Sequence, residues 1–303
     1  MTNMLIVLNK DENSISFIDA DSGVTEAKLP VDVNPHEIDV TRDGKTSFVT
    51  NSGGNTVSII DNTGPTEIDR ISHPLFHFPH GIGLSADESE LFIAATRSNR
   101  VFVFDVPSRE PKEVIETYQK STHMIYFDVN KERIFIPNIG SDNITILDAR
   151  DRSLITHLPV GRGPEGAGVH PDGEVLYVAN QHDNNLFIIE LDTMEVIFDR
   201  KLGTLPIRVA FSPDGDYVFI PNRESNDLSI VDARRPWEIK RIPTGVWPGG
   251  TVFSPAGDRA FVANNKTNDV SVIDVEGLKE VGRYEAGIHP DGMAFAMVPG
   301  KGE

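Results

Sequence analysis

The chain of 303 residues contains no cysteine. Disulfides, thiolate metal sites and cysteine nucleophiles are therefore excluded. Tryptophan is scarce, and so is positive charge: 28 Lys and Arg face 46 Asp and Glu, a formal balance of −18. Such a balance argues against nucleic acid and anionic membranes as partners, because neutralising phosphate charge supplies most non-specific affinity. No apolar run approaches the roughly 20 residues a membrane-spanning helix needs. The opening residues Met-Thr-Asn-Met-Leu-Ile-Val-Leu-Asn9 carry no charged leader or cleavable apolar segment. The expected setting is cytoplasmic, with a small molecule as partner, no nucleic acid, no membrane, and the oligomeric state open. Also missing are a Gly-x-Ser-x-Gly elbow, a phosphate-binding glycine loop, a His-Glu-x-x-His pair and a calcium-loop pattern.

What the chain does have is one unit, repeated. Residues 164–192 show it clearly: a short apolar run, a Pro-Asp-Gly turn, a second run ending at Asn180, a polar loop, and a third run ending at Glu190. The runs are rich in Val, Ile, Phe and Tyr, too short for helices, and bounded by turn formers, which predicts antiparallel strands. The unit opens at Pro35, Pro79, Thr122, Pro164, Pro206, Pro248 and Pro290, at spacings of 42 to 44 residues. Its second run ends at Asn9, Asn51, Thr96, Asn138, Asn180, Asn222 and Asn264, and an acid closes the third at Asp19, Asp61, Asp105, Asp148, Glu190, Asp232 and Asp274. This period predicts an all-β, seven-bladed β-propeller of four-stranded antiparallel blades, a single domain over residues 1–303.

The terminal segments fit the same scheme. Residues 4–29 match the second, third and fourth strands of a blade, and Asp291–Met297 matches a first strand. The last blade is therefore expected to combine three N-terminal strands with one C-terminal strand, which removes the open edges of the array. First strands are rich in glycine, as in Gly81-Ile-Gly-Leu84 and Gly166-Ala-Gly-Val169. Glycine suits strands whose backbones crowd a central axis, so these are read as the innermost strands. Recurrent Asn and Asp landmarks are read as turn caps.

The runs Phe48-Val-Thr-Asn51, Tyr177-Val-Ala-Asn180 and Phe261-Val-Ala-Asn264, with Val270-Ser-Val-Ile-Asp274 and the Ser212-Pro-Asp-Gly215 turn, resemble the YVTN β-propeller family along the whole chain. The resemblance implies the fold. It implies no single activity, because that superfamily spans YncE-like proteins, surface-layer proteins, propeller lactonases and cyclases, and the copper-binding propeller of nitrous oxide reductase. Its YncE-like members are secreted and associated with DNA, and this acidic, leaderless chain departs from both. Function must be argued from the site.

Propellers usually work at a channel mouth. The residue after each opening position forms the predicted innermost ring: His36, His80, His123, Glu165, Ile207, Gly249 and Asp291. Three histidines and a glutamate on consecutive blades are the donor types of a divalent ion, with Zn, Mn, Fe, Cu and Ni all compatible. In that reading His36, His80 and His123 bind the metal and Glu165 is a fourth ligand or general base. The competing reading is a passive polar lining. Arg208, Arg97 and Arg223 are candidates to hold a substrate carboxylate or phosphate, or else to pair with Glu37, Asp291 or Glu224. His182 is a loop candidate for catalysis, and Asp291 and Trp247 are candidates for substrate contact; Trp247, Phe76, Phe78 and Leu205, on the loops leading into the ring, either wall an apolar pocket or pack over neighbouring blades. Two function classes stand side by side: a metal-dependent enzyme for a small anion (lactone hydrolysis, elimination or isomerisation), and a non-catalytic binding scaffold.

Overall fold

The computed structural model describes residues 2–298 apart from 129 and 131, so residues 1 and 299–303 of the expected domain lie outside the described residues. It is a ring of seven four-stranded antiparallel sheets without a helix among those residues. Blade 1 spans residues 35–72, blade 2 79–116, blade 3 122–159, blade 4 164–201, blade 5 206–243 and blade 6 248–285. Blade 7 takes Thr2–Asn9, Ser14–Asp19 and Thr25–Pro30 from one end of the chain and Pro290–Val298 from the other. Pro290–Val298 pairs with Thr2–Asn9, which closes the ring as the repeat predicts.

The second and third strands form the core because their β-branched and aromatic side chains face both neighbouring blades. Leu5, Ile6, Phe92, Phe102, Ile136, Phe219 and Phe261 are all buried there. The enlarged loop before Pro79 tucks Phe76 onto Phe102, ring centroids 4.7 Å apart, so that aromatic packs against the core rather than lining a pocket.

The glycine reading has a direct steric reason. A Cβ on Gly250 would sit 2.0 Å from the Asp291 carbonyl oxygen, and one on Gly166 2.6 Å from the Arg208 Cα. First strands thus pack backbone against backbone around the axis. Gly250→Ala is expected to lower stability by about 1–3 kcal/mol. Gly282→Ala, where an added Cβ meets nothing within 4 Å, should stay within about 0.5 kcal/mol of the parent. Urea midpoints of the two variants test this; equal midpoints would contradict the packing argument.

The landmarks fall where the repeat puts them, with one exception. Asn9, Asn51, Asn138, Asn180, Asn222 and Asn264 are fully buried, and their amides tie the second strand to the third, as in Asn222 Nδ2 to Ser229 Oγ at 2.8 Å. In blade 2 the equivalent residue is Ala95, paired with Pro79 and Arg100, and Thr96 lies one position further on. Ala95 has no amide to make the tie, so the sequence pattern slipped by one there.

Candidate functional site

Seven loops lead into the first strands, and a repeated hydrogen bond holds each of them. The residue before every opening position has a positive φ: Asn34, Phe78, Ser121, Gly163, Leu205, Trp247 and His289. In each, the backbone N–H donates to the side chain of an Asn or Asp in the preceding blade (Asn13, Asn55, Asn99, Asp142, Asn184, Asn226 and Asn268), at 2.7–3.0 Å. Left-handed backbone at bulky residues such as Phe78 and Trp247 costs roughly 1–3 kcal/mol each. The seven bonds help hold that conformation, and so fix the residues that follow as an inward-facing ring.

The ring encloses a polar pocket of about 250 Å³ at the channel mouth. Of the sequence candidates, His36, His80, His123, Glu165, Arg208, Arg223 and Asp291 line it together, joined by Lys10, Phe78, Ile139 and Gln181. The remaining candidates lie elsewhere. Arg97 stacks on the Phe78 ring, 4.6 Å from its centroid, and Trp247 sits on the rim under Lys266, whose Nζ is 3.3 Å from its ring. His182 is exposed beside Gly163.

The three imidazoles are buried and neutral. Burial pushes His36 down to about 3, aided by Lys10, and His123 down to about 4; burial also holds His80 well below the usual histidine value. His36 Nδ1 lies 3.2 Å from the Asn34 carbonyl, which makes it the protonated nitrogen and leaves a lone pair on Nε2. His123 Nδ1 pairs with Thr96 Oγ1 at 3.0 Å. His80 stacks on His123, with centroids 3.8 Å apart at 28°, while His36 is tilted against His80 at 53°, with centroids 4.7 Å apart. Imidazoles sharing a tetrahedral ion through bonds of about 2.0–2.1 Å would hold their centroids roughly 5 Å apart. Among the described residues no group of three or more His, Cys, Asp or Glu is placed to hold a metal ion. His36 and His80 are close to the shared-ion spacing, whereas His80 and His123 lie too near each other to share one ion as they stand.

Charge is organised around Arg208, one residue deeper than the ring. Its guanidinium donates from Nη1 to Glu165 Oε1 at 2.8 Å and from Nη2 to Glu37. The pairing alternative therefore holds for Arg208, with Glu165 as an added partner. Lys10 Nζ meets Asp291 Oδ2 at 3.1 Å. Burial opposes ionisation of Asp291 and Glu165, but Lys10 holds the first and Arg208 the second below the usual carboxylate range. Glu37 is different: burial pushes it up to about 7, more than its share of Arg208 can offset.

Three buried polar atoms lining this mouth have no partner among the described residues: His80 Nδ1, Asp291 Oδ1 and Arg223 Nε. Unpaired buried polar groups are costly and call for an occupant. The site can bind a small molecule that both donates and accepts hydrogen bonds, and its cations suit an anion. Sequence reasoning missed Lys10 and Gln181. Both follow the Asn that ends a second strand, the slot Arg223 also holds, so the repeat carried the signal.

A family model described as YNCE-like beta-propeller matches residues 46–301. No curated protein matches the chain. Among solved structures, a functionally unknown protein from Desulfotomaculum acetoxidans superposes with a TM-score of 0.85 at 15% identity, covering 98% of this chain and 100% of that one. A periplasmic gluconolactonase of Pseudomonas aeruginosa gives 0.82 at 20% identity, covering 99% and 100%. A hydrazine synthase chain of Kuenenia stuttgartiensis gives 0.79 at 22% identity, covering 88% and 90%. At such identities the likeness is one of fold.

Proposed function

The chain belongs to the YNCE-like β-propeller family, and from that premise we propose that it hydrolyses lactones of small sugar acids at the channel mouth. The observation that carries the reading is the buried pocket in which three neutral imidazoles face Lys10, Arg208 and Arg223 beside unpaired polar atoms. The fold likeness to a gluconolactonase gives it a substrate class.

In the proposed step, His36 Nε2 takes a proton from water as its oxygen bonds to the lactone carbonyl carbon. Arg223 and Lys10 face the oxyanion that forms. Collapse breaks the ring C–O bond, and the leaving oxygen takes the proton back from the imidazolium. The product is an open hydroxy acid, whose carboxylate is held by the same cations once it ionises. An imidazole of so low a pKa is a weak base, which suits attack by water on an activated ester. Elimination and isomerisation remove a carbon-bound proton and want a base nearer neutrality, so they fit less well.

His36→Gln is expected to lower kcat/KM for glucono-δ-lactone by about 10²-fold, the low end for a general base. Because the folded-state value of His36 is depressed to about 3, the base form persists in acid. The acid limb of kcat/KM should therefore fall near pH 4 or below, not near 6.5. Initial rates in a pH-stat, corrected for spontaneous hydrolysis, test both points. No rate above the spontaneous one for any sugar-acid lactone would refute the reading.

A divalent ion on His36, His80 and His123 with Glu165 is a separate proposal, favoured by a His80 Nδ1 without a partner among the described residues, and it requires His80 and His123 to part. Elemental analysis of protein purified without chelator or affinity metal tests it directly.

A further inference from the structure

Between blades 4 and 5, away from the channel, a cleft of about 320 Å³ opens on the face opposite the mouth. It lies where the turn at residues 170–173 joins the first two strands of blade 4 and residues 233–237 join the last two of blade 5. Its size falls within the range of small-ligand pockets. We propose that this cleft is a second ligand site, taking a small organic ammonium ion with an apolar or aromatic body. The inference is independent of the lactone reading.

The floor of the cleft suits the apolar body. Tyr177 and Ile188 are buried there, beside the half-buried Val175 and Phe198. Tyr177 is held in place: its hydroxyl donates to the Ala233 carbonyl of blade 5 at 2.9 Å, and Phe211 meets its ring edge-on. Ile197 is the extra residue of a β-bulge, between Val196 and Phe198, whose partners Ile189 and Ile188 are consecutive. Bulges re-aim side chains, and Ile197 stands at the edge of the cleft 43% exposed. Covering such surface with a ligand is favourable.

The rim suits the ammonium. Asp172 and Glu174 line it, and the one guanidinium that lines it, on Arg234, is paired with Asp216. The Glu174 carboxylate has no hydrogen bond or ion pair among the described residues. Asp172 Oδ1 accepts the Glu174 N–H at 2.9 Å and lies 2.9 Å from His170 Nδ1, which leaves Oδ2 for a ligand. Burial, followed by the carboxylates of Asp232 and Asp172, pushes the Tyr177 hydroxyl above the usual tyrosine range, in keeping with a negative potential at the floor. Arg200 does not line the cleft but stacks on Phe198 and on the exposed Trp237, 4.7 and 4.6 Å from their ring centroids. It offsets one of the two rim carboxylates at most, and it shows that these aromatic faces accept positive charge.

The test is a ligand-observed NMR titration at about pH 8, above the ordinary titration of histidine. The probe is 2-phenylethylammonium, and 2-phenylethanol is its uncharged counterpart. The ammonium should bind with a dissociation constant of about 1–10 mM, ordinary for so small a ligand. The alcohol should bind about fivefold more weakly, and Glu174→Gln should weaken the ammonium about fivefold, the upper reach of an exposed ion pair. Ile197→Arg, which brings a cation to the edge of the cleft, should weaken the ammonium further. Both positions are exposed, so neither change threatens the fold. Equal affinity for ammonium and alcohol overturns the proposal. So does an ammonium affinity that neither variant alters, or a parent that shows no saturable binding of the ammonium.

Discussion

Removing residues 290–303 is expected to abolish cooperative folding. The strand Pro290–Val298 pairs with Thr2–Asn9, lies against the first strands of blades 1 and 6, and buries Met293 and Ala296. Losing it strips the ladder from an inner edge and opens the ring between blades 6 and 7. Each ladder bond contributes about 0.5–1.5 kcal/mol, and burying a methionine roughly 1.5–3 kcal/mol. Together these approach the 5–15 kcal/mol or so that stabilises a typical domain. Calorimetry of the truncated chain should show no sharp transition, whereas a melting temperature equal to that of the full chain would contradict the closure.

Arg208→Met is expected to be the most damaging single side-chain change at the mouth. It leaves Glu165 buried and Glu37 largely so, both without their shared cation. Breaking a buried ion pair from one side costs about 3–5 kcal/mol, or roughly 5–8 °C in melting temperature for a chain of this size. The loss should shrink in acid, where the stranded carboxylates take up protons. Adding Glu37→Gln and Glu165→Gln to Arg208→Met should recover much of the stability but not gluconate binding. A single variant that melts like the parent at neutral pH would show that the triad does not hold the channel together.

The fold was legible because a propeller repeats its constraints. Seven opening positions, seven acids and the glycine-rich first strands each mark one slot on one blade, and the blade shared by the termini follows from counting strands. The sequence also placed His36, His80, His123 and Glu165 at one address. It did not show which way they lean, because rotamers depend on neighbours across blades that no period encodes. The stacking of His80 on His123 comes from such packing, as does the tie from Arg208 to Glu37, a residue 171 positions away. Left-handed backbone at Phe78, Leu205 and Trp247 was equally hidden, since bulky side chains do not announce a positive φ. Its cause was visible in the Asn that recurs in the preceding loops. Thr96 misled because Ala95 fills the asparagine slot of blade 2 without an asparagine's chemistry.

The most direct test of the account is a crystal structure of the protein grown with millimolar D-gluconate. The account predicts density for the hydroxy acid in the mouth, its carboxylate within hydrogen-bond distance of Arg223 or Lys10 and a hydroxyl facing His80 Nδ1. A mouth holding only solvent under those conditions, with Arg223 and His80 unchanged, would contradict it.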